Sequence, residues 1–181
     1  MAEKFEQLSE GLINFIGKQH LFFVGTAAKE GYVNVSPKGM DSLRVLSPTQ
    51  VVWLNLTGSG NETAAHLLDT NRMTIMFCSF DKKPLILRLY GQARAVHPRD
   101  AEWPALLANF DNSAGARQFF VMDIELVLTS CGYAVPFYEF TGERQTLSDW
   151  AEKKGQAGIE EYWQQNNVES LNGFATGIFE D

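Results

Sequence analysis

Positive charge is the first thing that this sequence has little of. The 181 residues include 15 Lys and Arg against 22 Asp and Glu, so the formal net charge is −7. No run of basic residues interrupts this acidic balance, whereas a protein that binds duplex nucleic acid usually presents a basic patch or stripe. We therefore expect no nucleic-acid partner.

Long apolar runs are missing as well. No segment approaches the ~20 consecutive apolar residues that a membrane-spanning helix needs. The N-terminal residues also lack the charged stretch followed by an apolar core that marks an export signal. These absences predict a cytoplasmic protein without a membrane partner.

Residues that commonly hold metals are few. The two cysteines, Cys78 and Cys131, form no CxxC pair, and we expect both to be reduced and to act as small core residues. The three histidines, His20, His66 and His97, share no metal-ligand spacing. The sequence thus predicts no metal site, and it places His66 at the surface or at the cap of a helix.

Apolar residues, in contrast, are plentiful. They make up 45% of the chain and include 13 Phe and 4 Trp, which is enough for one packed core. Strand-like segments recur between short turns, at residues 21–26, 32–36, 42–46, 50–56, 72–80, 85–96 and 119–128. A bend is expected at Gly91, inside the longest of the hairpin strands. Successive hairpins imply antiparallel pairing, and a small antiparallel sheet that hides its edges tends to close into a barrel.

Helical periodicity is confined to the flanks of these strands. It predicts a first helix that includes Phe5 and ends near Gly17, a short one after Ser59, and one that begins at Pro98. Two short helices interrupted by Gly155 follow from residue 146. We therefore predict a mainly β (α+β) fold with peripheral helices, and a single domain over residues 1–181 with a helical C-terminal appendage from about residue 144.

Two polar segments at predicted strand ends carry the functional signal. One is Ser36-Pro37-Lys38-Gly39, and the other is residues 57–63, which follow the next long strand and open a helix. Together they offer an ammonium group, a hydroxyl, a side-chain amide and the backbone N–H groups of a helix start, a combination suited to a phosphate. The same residues also fit a role without any ligand, because Ser59 and Glu62 have the spacing of a capping box.

The glycine turn after a strand also raises the possibility of a dinucleotide-binding unit, with Asp81 about twenty residues further on. Three features speak against this interpretation. Thr63 stands where the third glycine belongs, the helix is short, and the hairpin connections do not suit a parallel sheet.

Five segments in order along the chain resemble those of the pyridoxamine 5'-phosphate oxidase-like flavoproteins. They are Val35-Ser36-Pro37-Lys38-Gly39, residues 58–63, Asn71-Arg72, Arg88-Leu89-Tyr90-Gly91 and Cys131-Gly132-Tyr133. The chain is most similar to an uncharacterised bacterial FMN-binding branch rather than to the authentic oxidase, and C-terminal residues such as Trp150 and Asn167 extend the similarity over nearly the whole chain. The resemblance implies an antiparallel six-stranded split β-barrel that forms a homodimer, with FMN at the subunit interface.

The resemblance also implies roles for individual residues. The strand carrying Val35, Ser36, Pro37 and Lys38 would run beside the flavin and its ribityl chain, and the phosphate would be held by Asn55, Leu56, Ser59, Gly60 and Asn61. Arg88, in an otherwise apolar strand, is either half of a buried ion pair or a cation near the ligand. Tyr133, Arg144 and Trp150 are candidates to cover the flavin from the partner subunit.

Two departures from the authentic oxidase matter. An Arg-Lys pair that follows the serine in the family is replaced here by Gly60-Asn61, so charge neutralisation would rest on Lys38 and on the helix N-terminus. The basic C-terminal segment that binds the substrate phosphate is also absent, since residues 173–181 carry no cation. Pyridoxal phosphate is therefore a doubtful substrate.

The resulting expectation is an FMN-dependent oxidoreductase with an unknown small-molecule substrate. No residue stands out as a general base, and flavin chemistry does not require one. Three alternatives stay open: a non-catalytic flavin-binding or sensing protein, a haem-binding protein that would use His20 or His66 as axial ligand, and a deazaflavin-binding protein.

Overall fold

Strands dominate the computed structural model, which describes residues 2–111 and 114–180. The elements in chain order are β1 (Glu3–Phe5), α1 (Glu10–Ile16), β2 (Phe22–Thr26), β3 (Asn34–Lys38), β4 (Leu43–Ser47), β5 (Gln50–Leu56), α2 (Glu62–Asp69), β6 (Arg72–Cys78), β7 (Ile86–Val96), α3 (Trp103–Leu107), β8 (Ala116–Ser130) and α4 (Thr146–Asn166). In this part of the chain, no helix is long and apolar enough to cross a membrane.

The strands form one antiparallel sheet in the order β3-β2-β6-β7-β8-β5-β4, with β1 paired to β8 outside this path. The predicted hairpins β2–β3, β4–β5 and β6–β7 are confirmed. The mainly β fold with peripheral helices is therefore confirmed, whereas the strand number is eight rather than six. The end strands β3 and β4 are not paired with each other within the described residues, so the sheet does not close into a complete barrel.

Two helix predictions are wrong at their N-terminal ends. Phe5 belongs to β1, a three-residue strand held against residues 127–129 of β8, and α1 begins only after Ser9, whose hydroxyl accepts a hydrogen bond from the Leu12 N–H. Pro98 starts no helix, because the Asp100 carboxylate accepts a hydrogen bond from the His97 N–H and shapes a turn there. In α3 the first-turn proline is Pro104.

The main core lies on the inner face of the sheet. It is formed by residues such as Val24, Ile75, Phe77, Leu87 and Phe120, and both α1 and α2 pack against it. A cysteine prediction fails here in part, since Cys78 is buried as expected but Cys131 is exposed just after β8 ends.

Two glycines that the sequence singles out lie at irregularities of the structure. At Gly91 the pairing of β7 with β8 shifts register, and a Cβ atom at this position would lie 1.9 Å from the Asp123 carbonyl oxygen. Gly155 interrupts α4 with a φ of 66°, a left-handed conformation that favours glycine.

The Nε1–H of Trp163, in the second half of α4, donates to the Thr57 hydroxyl 2.8 Å away and so anchors the C-terminal helix at the end of β5.

Candidate functional site

A polar pocket of about 330 Å³ lies between β3, the end of β5 and the start of α2. Alternation along β3 turns Ser36 and Lys38 towards it, while Val35 and Pro37 point to the exposed face. The residues that line the polar pocket are Asn34, Ser36, Lys38, Trp53, Asn55, Leu56, Gly58, Ser59, Gly60, Asn61, Glu62, Thr63 and Arg117.

Arg117 is the most deeply buried charge of the pocket, with an exposed fraction of 3%. It sits at a β-bulge, because Asn55 and Leu56 of β5 pair with Gln118 and Ala116 of β8 and leave Arg117 without a cross-strand partner. Bulges redirect side chains in this way, often beside functional sites. Here the bulge directs the guanidinium group into the polar pocket.

The hydrogen-bond partners of Arg117 are neutral. Its Nη1 donates to the Asn167 Oδ1 at 2.7 Å and more weakly to the Gly58 carbonyl oxygen at 3.4 Å, and its buried Nε has no hydrogen-bond partner among the described residues. Burial lowers the pKa of Arg117 to about 10. The salt bridges of the described chain do not include this residue.

Lys38 supplies a second cation. Its Nζ lies 4.9 Å from the centre of the Trp53 ring, and burial, followed by repulsion from Arg117, lowers its pKa to about 8. It too is absent from the salt bridges of residues 2–111 and 114–180. Buried charges are costly unless they are paired. Two cations that face one pocket and form no salt bridge, even with Glu62 in the same lining, therefore indicate a binding site for an anion.

Hydrogen bonds at both ends fix the turn between β5 and α2. Thr57 donates from both its N–H and its hydroxyl to the Gly115 carbonyl oxygen, each at 2.8 Å. Asn61 is buried, and its Oδ1 accepts a hydrogen bond of 2.7 Å from the Gln118 side chain. Between these anchors, Ser59 and Gly60 form the exposed apex of the turn.

The capping box predicted from Ser59 and Glu62 is wrong. Helix α2 begins at Glu62, and its N-cap residue is Asn61, which makes no capping hydrogen bond because its amide is bound to β8 and to the C-terminal segment. The Glu62 carboxylate accepts from the Leu171 N–H instead, at 2.9 Å. The first N–H groups of α2 therefore lack a side-chain cap, which suits a helix start that receives an anion.

Most of the site residues predicted from the sequence meet in the polar pocket, namely Ser36, Lys38, Asn55, Leu56, Ser59, Gly60 and Asn61. Pro37 lines a neighbouring cavity of about 540 Å³ together with Lys38, Arg144 and Trp150. Three residues lie elsewhere. Val35 is 65% and Tyr133 83% exposed, and the Arg88 guanidinium, on β7, donates to the Ser130 hydroxyl at 3.2 Å.

The sequence did not identify Arg117, Trp53 or Asn167 as site residues, although Asn167 is among the residues that carry the family resemblance. One signal for Arg117 was present, since Arg117 and Gln118 are two polar residues directly before the apolar run of β8. The prediction for His66 was also wrong. This histidine is buried, with its Nδ1 3.1 Å from the Thr26 hydroxyl, and it does not line the polar pocket.

Comparison with known proteins identifies the family of this chain. The family model described as pyridoxamine 5'-phosphate oxidase matches residues 8–131. The chain belongs to the pyridoxamine 5'-phosphate oxidase family. A curated relative, the pyridoxamine 5'-phosphate oxidase family protein ustO of Aspergillus flavus, is 36% identical over 187 residues, covering 93% of this chain and 75% of the relative.

Solved structures of the same kind confirm the split-barrel fold. A candidate pyridoxamine 5'-phosphate oxidase from Lactobacillus delbrueckii superposes with a TM-score of 0.55 at 22% identity, over 68% of this chain and 94% of the other. The protein HupZ from Group A Streptococcus superposes with a TM-score of 0.53 at 19% identity, over 66% of this chain and 91% of HupZ. An FAD-binding protein from Mycobacterium smegmatis superposes with a TM-score of 0.50 at 14% identity, over 70% of this chain and 97% of the other.

Proposed function

We propose that this family member binds FMN, with the phosphate in the polar pocket, and transfers electrons between the flavin and a small-molecule substrate. The observation that carries the proposal is the pair of cations, Lys38 and Arg117, that face one pocket and take part in no salt bridge of the described residues. The one carboxylate that lines the pocket, Glu62, accepts a hydrogen bond from the Leu171 N–H instead. A phosphate dianion would supply the missing negative charge, and the uncapped start of α2 would add N–H donors.

The neighbouring cavity supports a flavin rather than a lone phosphate. Lys38 lines both cavities, so they adjoin at its side chain. The polar pocket offers cations and amides, whereas the other is walled by Leu21, Met40, Leu147 and Trp150. A ligand with a phosphate at one end and a planar apolar ring system at the other fits this arrangement.

In the proposed complex each residue has a defined task. Arg117 and Lys38 bind the phosphate, and Ser36 and Asn55 offer hydrogen bonds to the linker between phosphate and ring. When bound, FMN supplies the redox chemistry. Arg88 lies outside both cavities of its own chain, and we assign it no role there.

We also propose a homodimer with the flavin at the interface. Edge strands normally avoid exposed apolar side chains, yet Val33 and Val35 at the β3 edge are 71% and 65% exposed. Tyr133 and Phe137, in the segment after β8, are 83% and 76% exposed. A second copy of the chain would cover such residues, and sedimentation at micromolar concentration tests this, since a monomer contradicts it.

The remaining parts of the proposal are a cytoplasmic protein and neither nucleic acid nor membrane as partner. The deciding experiment is titration of the purified protein with FMN, riboflavin, FAD and a deazaflavin, followed by stopped-flow reduction with NADH and NADPH. We expect FMN to bind at least ~100-fold more tightly than riboflavin, equivalent to about 2.7 kcal/mol from the phosphate. Equal affinity for the two overturns the phosphate assignment. Binding without reduction or turnover favours the non-catalytic alternative.

A further inference from the structure

We propose that Asn167 is a positioning residue that presents Arg117 to the ligand's phosphate with its charge intact. The proposal rests on the function proposed above. Asn167 lies directly after α4, outside the residues that match the family model, and it is fully buried. Its Oδ1 accepts from the Arg117 Nη1 at 2.7 Å, and its Nδ2 donates to the Gly58 carbonyl oxygen at 3.1 Å. One amide thus connects the guanidinium group to the glycine turn.

The backbone of Asn167 is fixed as firmly as its side chain. Its N–H donates to the Trp163 carbonyl oxygen at 2.8 Å and ends the helix. Its carbonyl oxygen accepts from the Thr176 hydroxyl at 2.6 Å and from the Asn61 amide at 3.4 Å. The side chain of Asn167 is therefore held in place by helix α4 and the following segment, and it transmits this position to Arg117.

The chemical type of this residue matters as much as its position. An amide oxygen accepts a hydrogen bond from the guanidinium group without cancelling its charge, whereas a carboxylate there would form a buried ion pair. Such a pair would stabilise the unliganded protein and compete with an incoming phosphate. Asparagine orients Arg117 and keeps its positive charge available to the ligand.

The test compares Asn167→Asp with Asn167→Ala and with the control Trp163→Phe. The control removes a hydrogen bond between α4 and Thr57 but leaves Arg117 and Gly58 untouched. For each variant we would measure the affinities for FMN and riboflavin by calorimetry, and the thermal midpoint of the flavin-free protein. The ratio of the two affinities isolates the contribution of the phosphate.

We expect Asn167→Asp to lower FMN affinity on the order of 100-fold, to change riboflavin affinity by less than about twofold, and not to lower the thermal midpoint. Asn167→Ala should lower FMN affinity about tenfold and also lower the midpoint. Trp163→Phe should lower the midpoint and keep the wild-type ratio. An unchanged ratio in Asn167→Asp overturns the proposal, and so does an equal loss of both affinities. If Asn167→Asp does not fold, an unchanged ratio in Asn167→Ala overturns it.

Titration with inorganic phosphate separates this proposal from the proposed function. If the wild-type protein binds phosphate but no flavin, the FMN assignment fails, and the same variants test Asn167 by their phosphate affinity. In that case Asn167→Asp should again show the largest loss of affinity, now for phosphate. A phosphate affinity equal to that of the wild type in this variant overturns the positioning role. If the wild-type protein binds neither flavin nor phosphate, both proposals are wrong.

Discussion

Arg117→Met is the most direct test of the charge argument, because it removes a buried cation and keeps much of the apolar stem. The pKa of Arg117 falls from its ordinary value to about 10, and at 1.36 kcal/mol per pKa unit this corresponds to roughly 3 kcal/mol of unfavourable energy for the charged form. The hydrogen bonds to Asn167 and Gly58 offset part of this energy, about 0.5–1.5 kcal/mol each.

The two contributions nearly cancel in the protein without ligand. We therefore expect Arg117→Met to change the free energy of unfolding of the flavin-free protein by less than about 2 kcal/mol, with a bias towards stabilisation. The apolar side chain of methionine also avoids the cost of burying an unpaired charge.

With FMN bound, the balance is different, since the phosphate would gain a charge-assisted hydrogen bond of about 1.5–3 kcal/mol from Arg117. Its loss should weaken FMN roughly 10- to 150-fold and leave riboflavin unaffected. Urea unfolding of the flavin-free protein and calorimetric titration with both flavins measure the two effects. A large loss of stability together with an unchanged FMN-to-riboflavin ratio would show that Arg117 is a structural residue.

Four other properties of the site and the sheet are open to measurement. FMN affinity should be constant between about pH 6, where a phosphate monoester becomes a dianion, and pH 8. Above that it should fall, because Lys38, whose pKa is about 8 without ligand, must then regain a proton on binding; titrations at pH 7 and pH 9.5 measure this. Lys38→Met should weaken FMN binding by about 1–3 kcal/mol and remove most of the fall in affinity above pH 8 in the same titrations, leaving only a small fall from Arg117, whose pKa is about 10. Ser59→Ala should leave the urea unfolding free energy of the flavin-free protein within about 0.5 kcal/mol of wild type, because Ser59 caps no helix, and a loss near 1 kcal/mol would contradict this. Gly91→Ala should cost more than about 2 kcal/mol in urea unfolding, since its Cβ would collide with the Asp123 carbonyl oxygen, whereas the control Gly11→Ala, with no atom closer than 3.8 Å, should not destabilise.

Local signals in the sequence were enough for most of the fold. Each predicted hairpin combines two apolar segments with a polar turn, and the three that were predicted are present. The break at Gly155 was predictable for a similar reason, because it depends on the conformation of a single residue. Seven of the ten predicted site residues also line one pocket, since strand alternation and one glycine turn bring them together.

The errors concern features that depend on distant partners. β1 has only three residues and exists because β8 lies beside it, so it leaves no periodic pattern in the sequence. The capping box had the correct spacing, but Leu171 binds Glu62, and Gln118 together with Asn167 binds Asn61. These competing hydrogen bonds span more than fifty residues, and the local sequence carries no information about them.

Arg117 shows why a residue whose position depends on a distant strand is hard to predict from the sequence. Where the resemblance implies a basic pair after the turn serine, this chain has Gly60-Asn61, and the sequence predicted that charge neutralisation would rest more on Lys38 and on the helix start. Regular pairing of β8 with β5 would give Arg117 a cross-strand partner on β5. The bulge removes that partner and turns the guanidinium group into the pocket. A bulge is a property of the pairing between two strands sixty residues apart, so it becomes visible only when their register is known. In this chain the positive charge at the site therefore comes from Lys38 on β3 and from Arg117, which the register of β5 and β8 places in the pocket, rather than from the turn itself.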